Sequence, residues 1–221
     1  MATFLELSGT HRIPCVAMVD SVAATQLGEK LPSILTEHLR AAVNERLTER
    51  SLCVASKVAF AKLDIMLCNS HQFASVVCAF IIDNTLWVIN QGTTGAVLVG
   101  PNRAMCCTVK DDKKRLGASH LSSSDLNVTR YRLDPNQGEE IVVIGPSMFM
   151  SIAGSQWLIQ NVRAHSKDPI EKVAHSAVYS IASRMDLPVP LACMMLRLQP
   201  SASTNVPPAS TNSPTDWEIV E

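Results

Sequence analysis

From Ala74 to Gly145 the apolar residues stop recurring every three or four positions and fall instead into short β-rich blocks. The blocks ASVVCAFII, TLWVIN, GAVLVG, MCCTV, NVTRYRL and EEIVVIG are separated by turn residues at Asp83-Asn84, Pro101-Asn102 and Pro135-Asn136-Gln137-Gly138. That spacing predicts antiparallel strands joined as hairpins. On both sides the period is helical. Leu27, Leu31, Ile34, Leu35, Leu39, Ala42 and Val43 share one face of a helical stretch, and Val54, Val58, Ala61 and Ile65 mark the inner face of a helix over Ser51–Leu67. Two more helices are predicted over Gly154–His165 and Pro169–Met185, the second with Asp168 as N-cap and Pro169 at its first position. RIPCVAMVD, ending at Asp20, and LACMMLRL read as the first and last strands. Helices that bracket hairpin-connected strands predict an α+β layered sandwich rather than a doubly wound parallel sheet.

Composition narrows the function classes. Of the side chains 19 are basic and 20 acidic, so the formal net charge is -1, which offers no broad footprint for a polyanion; nucleic acid is excluded as a first partner. No window approaches the ~18 unbroken apolar residues of a membrane span, and MATFLELSGTHRIP lacks the pattern of a signal peptide, so a cytoplasmic location is expected. Aromatics are only 5%, so aliphatic residues and methionine must fill the core, Met148, Met150, Met194 and Met195 included. Cys15, Cys53, Cys68, Cys78 and Cys193 lie in apolar runs without C-x-x-C spacing, and in Cys106-Cys107 alternation buries one thiol and turns the other outward. The six histidines show no H-x-x-x-H or H-E-x-x-H spacing, and no G-x-S-x-G turn or Gly-rich phosphate loop is present. Lys110–Asn127 reads as a surface loop, and Gln199 onward, rich in Ser, Thr and Pro, as a disordered tail. The expected organisation is a domain over 4–198 and a tail over 199–221.

Asp83–Ala104, DNTLWVINQGTTGAVLVGPNRA, resembles the central hairpin N-x-L-x-V-A-N-x-G-D-S-R-A-V-L of the PPM, or type-2C, metal-dependent protein phosphatases, matching at Asn84, Leu86, Val88, Asn90, Gly92, Ala96, Val97 and Leu98. In the same register CVAMVDSVAA resembles V-x-D-G-H-G-G with Asp20 at the aspartate. FASVVCAFI lies at G-S-T-A-x-x-A-x-I, GEEIVVIGPSMFMSIAG at D-E-F-L-I-L-A-S-D-G-L-W-D, and LPVPLACMMLRL at the final D-N-x-T-x-x-x-V-x-L strand. The likeness spans Ile13 to Leu198 and is nearest in character to the phosphatase domain of the PH-domain leucine-rich-repeat phosphatases, which also place Gly-Thr in this hairpin. It implies a four-layer α-β-β-α sandwich of two antiparallel sheets flanked by helices. For active members it implies two divalent cations, Mg or Mn, held by carboxylates and sharing a water that attacks phosphate.

The chain departs from that pattern where the cations would sit. The N-terminal R-x-x-x-E-D element has no counterpart. Ser21, Val22, Ala23 and Ala24 replace the residues after Asp20; Thr93 stands at the hairpin acid, Ser147 at the S-D-G aspartate and Val189 at the last aspartate. Asp20 is the one retained acid, with capping of the following helix as its other reading, and Asp186, three residues before Val189, is the alternative for the acid missing there. No cofactor is therefore expected, and the resemblance implies a pseudophosphatase acting as a protein-binding adaptor. The alternative is a divergent, active Mg- or Mn-dependent Ser/Thr phosphatase. In the tail, Asp216, Trp217 and Val220 form a W-x-x-V pattern resembling the LIR motif that binds Atg8-type proteins by strand addition; the rival reading docks Trp217 back on its own domain.

Overall fold

A computed structural model describes residues 2–7, 11–20, 30, 33–34, 37, 49–82, 84–108, 115–117, 126–133, 138–146, 149, 151–185, 193–200 and 217–220. Ten strands and three full helices are seen among them: β1 (Ala2–Leu7), β2 (His11–Asp20), α1 (Glu49–Asn69), β3 (Ser75–Ile82), β4 (Thr85–Gln91), β5 (Gly95–Val99), β6 (Ala104–Cys106), β7 (Asn127–Arg132), β8 (Glu140–Gly145), α2 (Ile152–Ala164), α3 (Ile170–Met185), β9 (Met194–Pro200) and β10 (Trp217–Val220). Residues 30, 33, 34 and 37 are also helical. One antiparallel sheet has the order β1-β2-β3-β4-β7 and the other β10-β9-β8-β5-β6.

Strand alternation builds the layers. In β3, Val76, Cys78 and Phe80 point to α1 and pack on Ala55, Ala59, Phe60, Leu63 and Leu67, while Val77, Ala79 and Ile81 point the other way, onto Leu98, Val142 and Leu196 of the second sheet. The second sheet repeats this. Val97, Val99, Ile141 and Val143 meet Leu158, Val162, Val173 and Ile181 of α2 and α3. Each sheet is thus buried on both faces, which is why its strands read as unbroken apolar runs although they are antiparallel. The three apolar seams between four layers are the α-β-β-α sandwich expected from the resemblance.

Several details differ from the sequence reading. Val54, Val58 and Ile65 are 53%, 41% and 57% exposed, so they lie on the outer face of α1; the packed stripe is Ala55, Ala59, Phe60, Leu63 and Leu67. Both stripes keep helical spacing, and period alone does not say which one meets the sheet. β4 and β5 flank the Gly92 turn yet belong to different sheets, as do β7 and β8, so neither pair is a hairpin. A Gly- or Pro-containing turn serves equally to fold a strand back or to pass it across a sandwich. β1, unforeseen, pairs with β2 from Ala2↔Val16 to Leu7↔His11. The Asp168 side chain accepts hydrogen bonds from His165 Nδ1 (2.9 Å) and Lys172 Nζ (3.3 Å) rather than from backbone amides of α3. Finally, Trp217–Val220, expected to lack structure, pair antiparallel with β9 from Trp217↔Pro200 to Val220↔Arg197.

Candidate functional site

The pocket forms where three chain segments end together. β2 finishes at Asp20, which lies in register with Ser75 at the start of β3. The β4–β5 turn arrives beside them through Gly92, whose φ of +88° lies in the region that favours glycine. A Cβ there would stand 2.4 Å from Ser75 Oγ and 2.9 Å from Ser75 Cβ, so the turn is packed directly on that side chain. The contact delivers Thr93: its amide donates to Ser75 Oγ at 3.0 Å, and the two hydroxyls lie 3.1 Å apart. Both residues are buried, and their hydroxyls satisfy one another. A cavity of about 330 Å³ opens beside them, lined by Asp20, His71, Gln72, Phe73, Ser75, Thr93 and Arg115.

The rest of the wall comes from the end of α1 and from a distant loop. Gln72 N donates to Leu67 O and His71 N to Cys68 O, the paired bonds of a Schellman cap, with His71 at the left-handed position (φ +53°) that is usually Gly. The loop is pinned at three points. Leu116 and Ala74 exchange both backbone hydrogen bonds (2.9 and 3.1 Å), the buried Asp64 accepts from Gly117 N, and Gly117 (φ +83°) sits so close that a Cβ would be 2.0 Å from Gln72 O. These contacts hold Arg115 at the cavity although 40 positions separate it from Ser75.

Of the residues singled out from sequence, Asp20 is exposed at the rim and Thr93 is buried at the floor. Ser21, Ser147 and Val189, with Asp186, Met148 and Met150, lie outside the described residues. Trp217 and Val220 lie on β10, in the other sheet; Asp216 is outside the described residues. Cys106 is exposed and Cys107 buried, as alternation required. Burial pushes the Cys107 thiol up to about 12, and burial does the same to Cys193. Met194 packs against the inter-sheet seam and Met195 against the seam under α2 and α3, so both are core filler. His71, Phe73 and Arg115 were not foreseen. Nothing in their spacing marks them, because only the α1 cap and the Gly117 anchor bring them to one place.

Hard divalent cations need several carboxylate oxygens, and two adjacent cations need more. Among the described residues the cavity offers one carboxylate, Asp20, and beside it a guanidinium. Nowhere among them do three His, Cys, Asp or Glu side chains converge. Thr93 is engaged with Ser75 where the family pattern has an acid. The donor set among the described residues does not by itself fit a two-cation centre.

No family model matches the chain, and no curated protein matches it in sequence. Solved structures do. A sex determining protein of C. elegans superposes with TM-score 0.60 at 11% identity, covering 86% of this chain and 57% of that one. PppA, a key regulatory component of T6SS in Pseudomonas aeruginosa, gives TM-score 0.61 at 13% identity, over 83% and 84%. The serine/threonine phosphatase Stp1 from Staphylococcus aureus gives 0.59 at 9%, over 90% and 87%. The chain has the PPM serine/threonine phosphatase fold. On this PPM frame, the Asp20–Thr93 end of the sandwich is where the sequence resemblance places the phosphatase centre. The likeness is one of backbone, since identities near 10% leave side chains to be judged from the pocket itself.

Proposed function

We propose that the domain is a pseudophosphatase: a PPM-fold module that binds protein partners without hydrolysing phosphate. The observation behind this reading is the hydroxyl pair Ser75–Thr93 at the pocket floor with, among the described residues, a single carboxylate, Asp20, at its rim. Each acid replaced by a hydroxyl or an alkyl group removes both a ligand and a compensating negative charge. The same reading places the protein in the cytoplasm and makes the tail a recruiting strand. β10 is the terminal strand of its sheet, so its outer row of backbone groups is a site for strand addition, the mode by which Atg8-type proteins take W-x-x-V segments.

The test is turnover of p-nitrophenyl phosphate and of a phosphopeptide while Mn or Mg is titrated. No metal-stimulated turnover is expected. Stimulation that vanishes in Asp20→Asn would establish the other reading, an active Mg- or Mn-dependent phosphatase, which the retention of Asp20 in the cavity favours.

A further inference from the structure

A second cavity, of about 390 Å³, lies away from the phosphatase-like pocket. Its lining includes Val99, Glu139, Ile141, Val162, Arg163 and Lys167. β5 connects the two sites: Gly95 follows the Thr93 turn, and Val99 lies four residues on, about 13 Å at 3.3 Å per residue. The cavity is of the size that takes small ligands and peptide side chains.

Its frame is stiff. Arg103 grips the fully buried Glu140 through Nε (2.6 Å) and Nη2 (2.8 Å) and also donates to Arg132 O. Arg197 pairs with Glu139 at 3.0 Å and donates to the carbonyls of Ser166 and Asp168. Both acids at this end of the sheet therefore have arginine partners. Two cations are left over. Arg163 uses Nε on Gly100 O at 3.2 Å, and neither it nor Lys167 meets an acidic side chain among the described residues, while both are exposed at the rim. Beneath them the floor is apolar and buried, formed by Val99, Ile141 and Val162.

We infer that this cavity binds an acidic peptide segment of a partner protein, with an aliphatic side chain on the Val99–Ile141–Val162 floor and a neighbouring carboxylate between Arg163 and Lys167. The charge pattern selects the ligand. An uncharged apolar group would leave the two cations unanswered, and a compact inorganic anion would leave the floor wet, whereas an acidic residue beside an aliphatic one satisfies both. Arg163 supplies the planar donor pair suited to a carboxylate and Lys167 a point charge. This site is independent of whether the Asp20 pocket turns over phosphate.

The experiment is fluorescence anisotropy of the full chain with a fluorescein-labelled peptide of sequence Asp-Glu-Ile-Val-Glu, and with the same peptide carrying Asn and Gln for its acids. Lys167 meets no partner among the described residues, so Lys167→Gln should leave the fold intact; Arg163→Gln is checked by its far-ultraviolet circular dichroism. Binding of the acidic probe should weaken about two- to fivefold in each variant and about tenfold in the double variant, the scale of exposed ion pairs, and should fall as salt rises. The neutral probe should bind no better to the wild type than to the double variant. Equal binding of the acidic probe to wild type and double variant, as strand addition at another edge would give, overturns the assignment; so does no binding, or equal affinity for the neutral probe.

Discussion

Replacing Gly92 by alanine tests the packing on which the phosphatase-like pocket depends. Two costs add. The first is conformational: φ +88° disfavours any residue with a Cβ, by about 1–2 kcal/mol. The second is steric, because the new Cβ would stand 2.4 Å from Ser75 Oγ. Turning Oγ aside gives up its bonds to Thr93 N and Thr93 Oγ1, about 1 kcal/mol each, and still leaves Ser75 Cβ at 2.9 Å. The expected destabilisation is about 3–5 kcal/mol, in the range reserved for identifiable structural faults. Gly138 supplies the internal control. Its φ is +81°, yet among the described residues a Cβ there would meet only Pro101 Cγ at an ordinary 3.7 Å, so Gly138→Ala should cost the conformational part alone. Urea unfolding of the full chain measures both. Ser75→Gly in the Gly92→Ala background should recover part of the difference, giving a coupling of about 1–2 kcal/mol. If Gly92→Ala and Gly138→Ala agree within about 0.5 kcal/mol, the turn does not rest on Ser75, and the account of the pocket floor fails.

Further outcomes are expected elsewhere. His71→Gly should stabilise the protein by about 1 kcal/mol in the same unfolding assay, since glycine suits the left-handed cap position that histidine now fills. Arg103→Ala leaves the buried Glu140 carboxylate unpaired and should cost about 3 kcal/mol by urea unfolding, with Arg103→Ala/Glu140→Gln less destabilised than the sum of its single variants. At pH 8 a maleimide should label Cys106 and spare Cys107, as read by peptide mass spectrometry, because a thiol at about 12 is almost wholly protonated there. Since the folded value of Cys107 lies above that of a free thiol, its contribution to stability is complete below about pH 8.5 and is lost as pH rises toward 12, at about 1.4 kcal/mol per pH unit. Cys107→Ala should therefore lose less stability than wild type between pH 8 and pH 10. Deleting Trp217–Glu221 should abolish capture by an immobilised Atg8-type protein while leaving the two sheets folded.

What could be read from residues in order was local. The change from helical to β period between Ala74 and Gly145 identified six strands, and the proline, glycine and asparagine turns bounded them. The helices α1, α2 and α3 began and ended within a few residues of their expected positions, because periodicity and terminal residues act over one or two turns. That Thr93 stands where the resembling pattern has an acid was likewise visible in the turn sequence itself.

What could not be read was partnership across the molecule. Whether a turn returns a strand to its neighbour or sends it to the other sheet depends on which apolar faces find one another, so β4–β5 and β7–β8 looked like hairpins and are crossings. The inner face of α1 was a choice between two stripes of equal spacing, settled when Phe60, Leu63 and Leu67 met Val76, Cys78 and Phe80 of β3. Arg115 reached the Asp20 pocket only through the Asp64–Gly117 and Ala74–Leu116 bonds, and the rim cations Arg163 and Lys167 acquired a floor only when α2 packed on β5 and β8. Side-chain period is set by backbone geometry within one element, whereas pockets are made by close packing between elements distant in the chain.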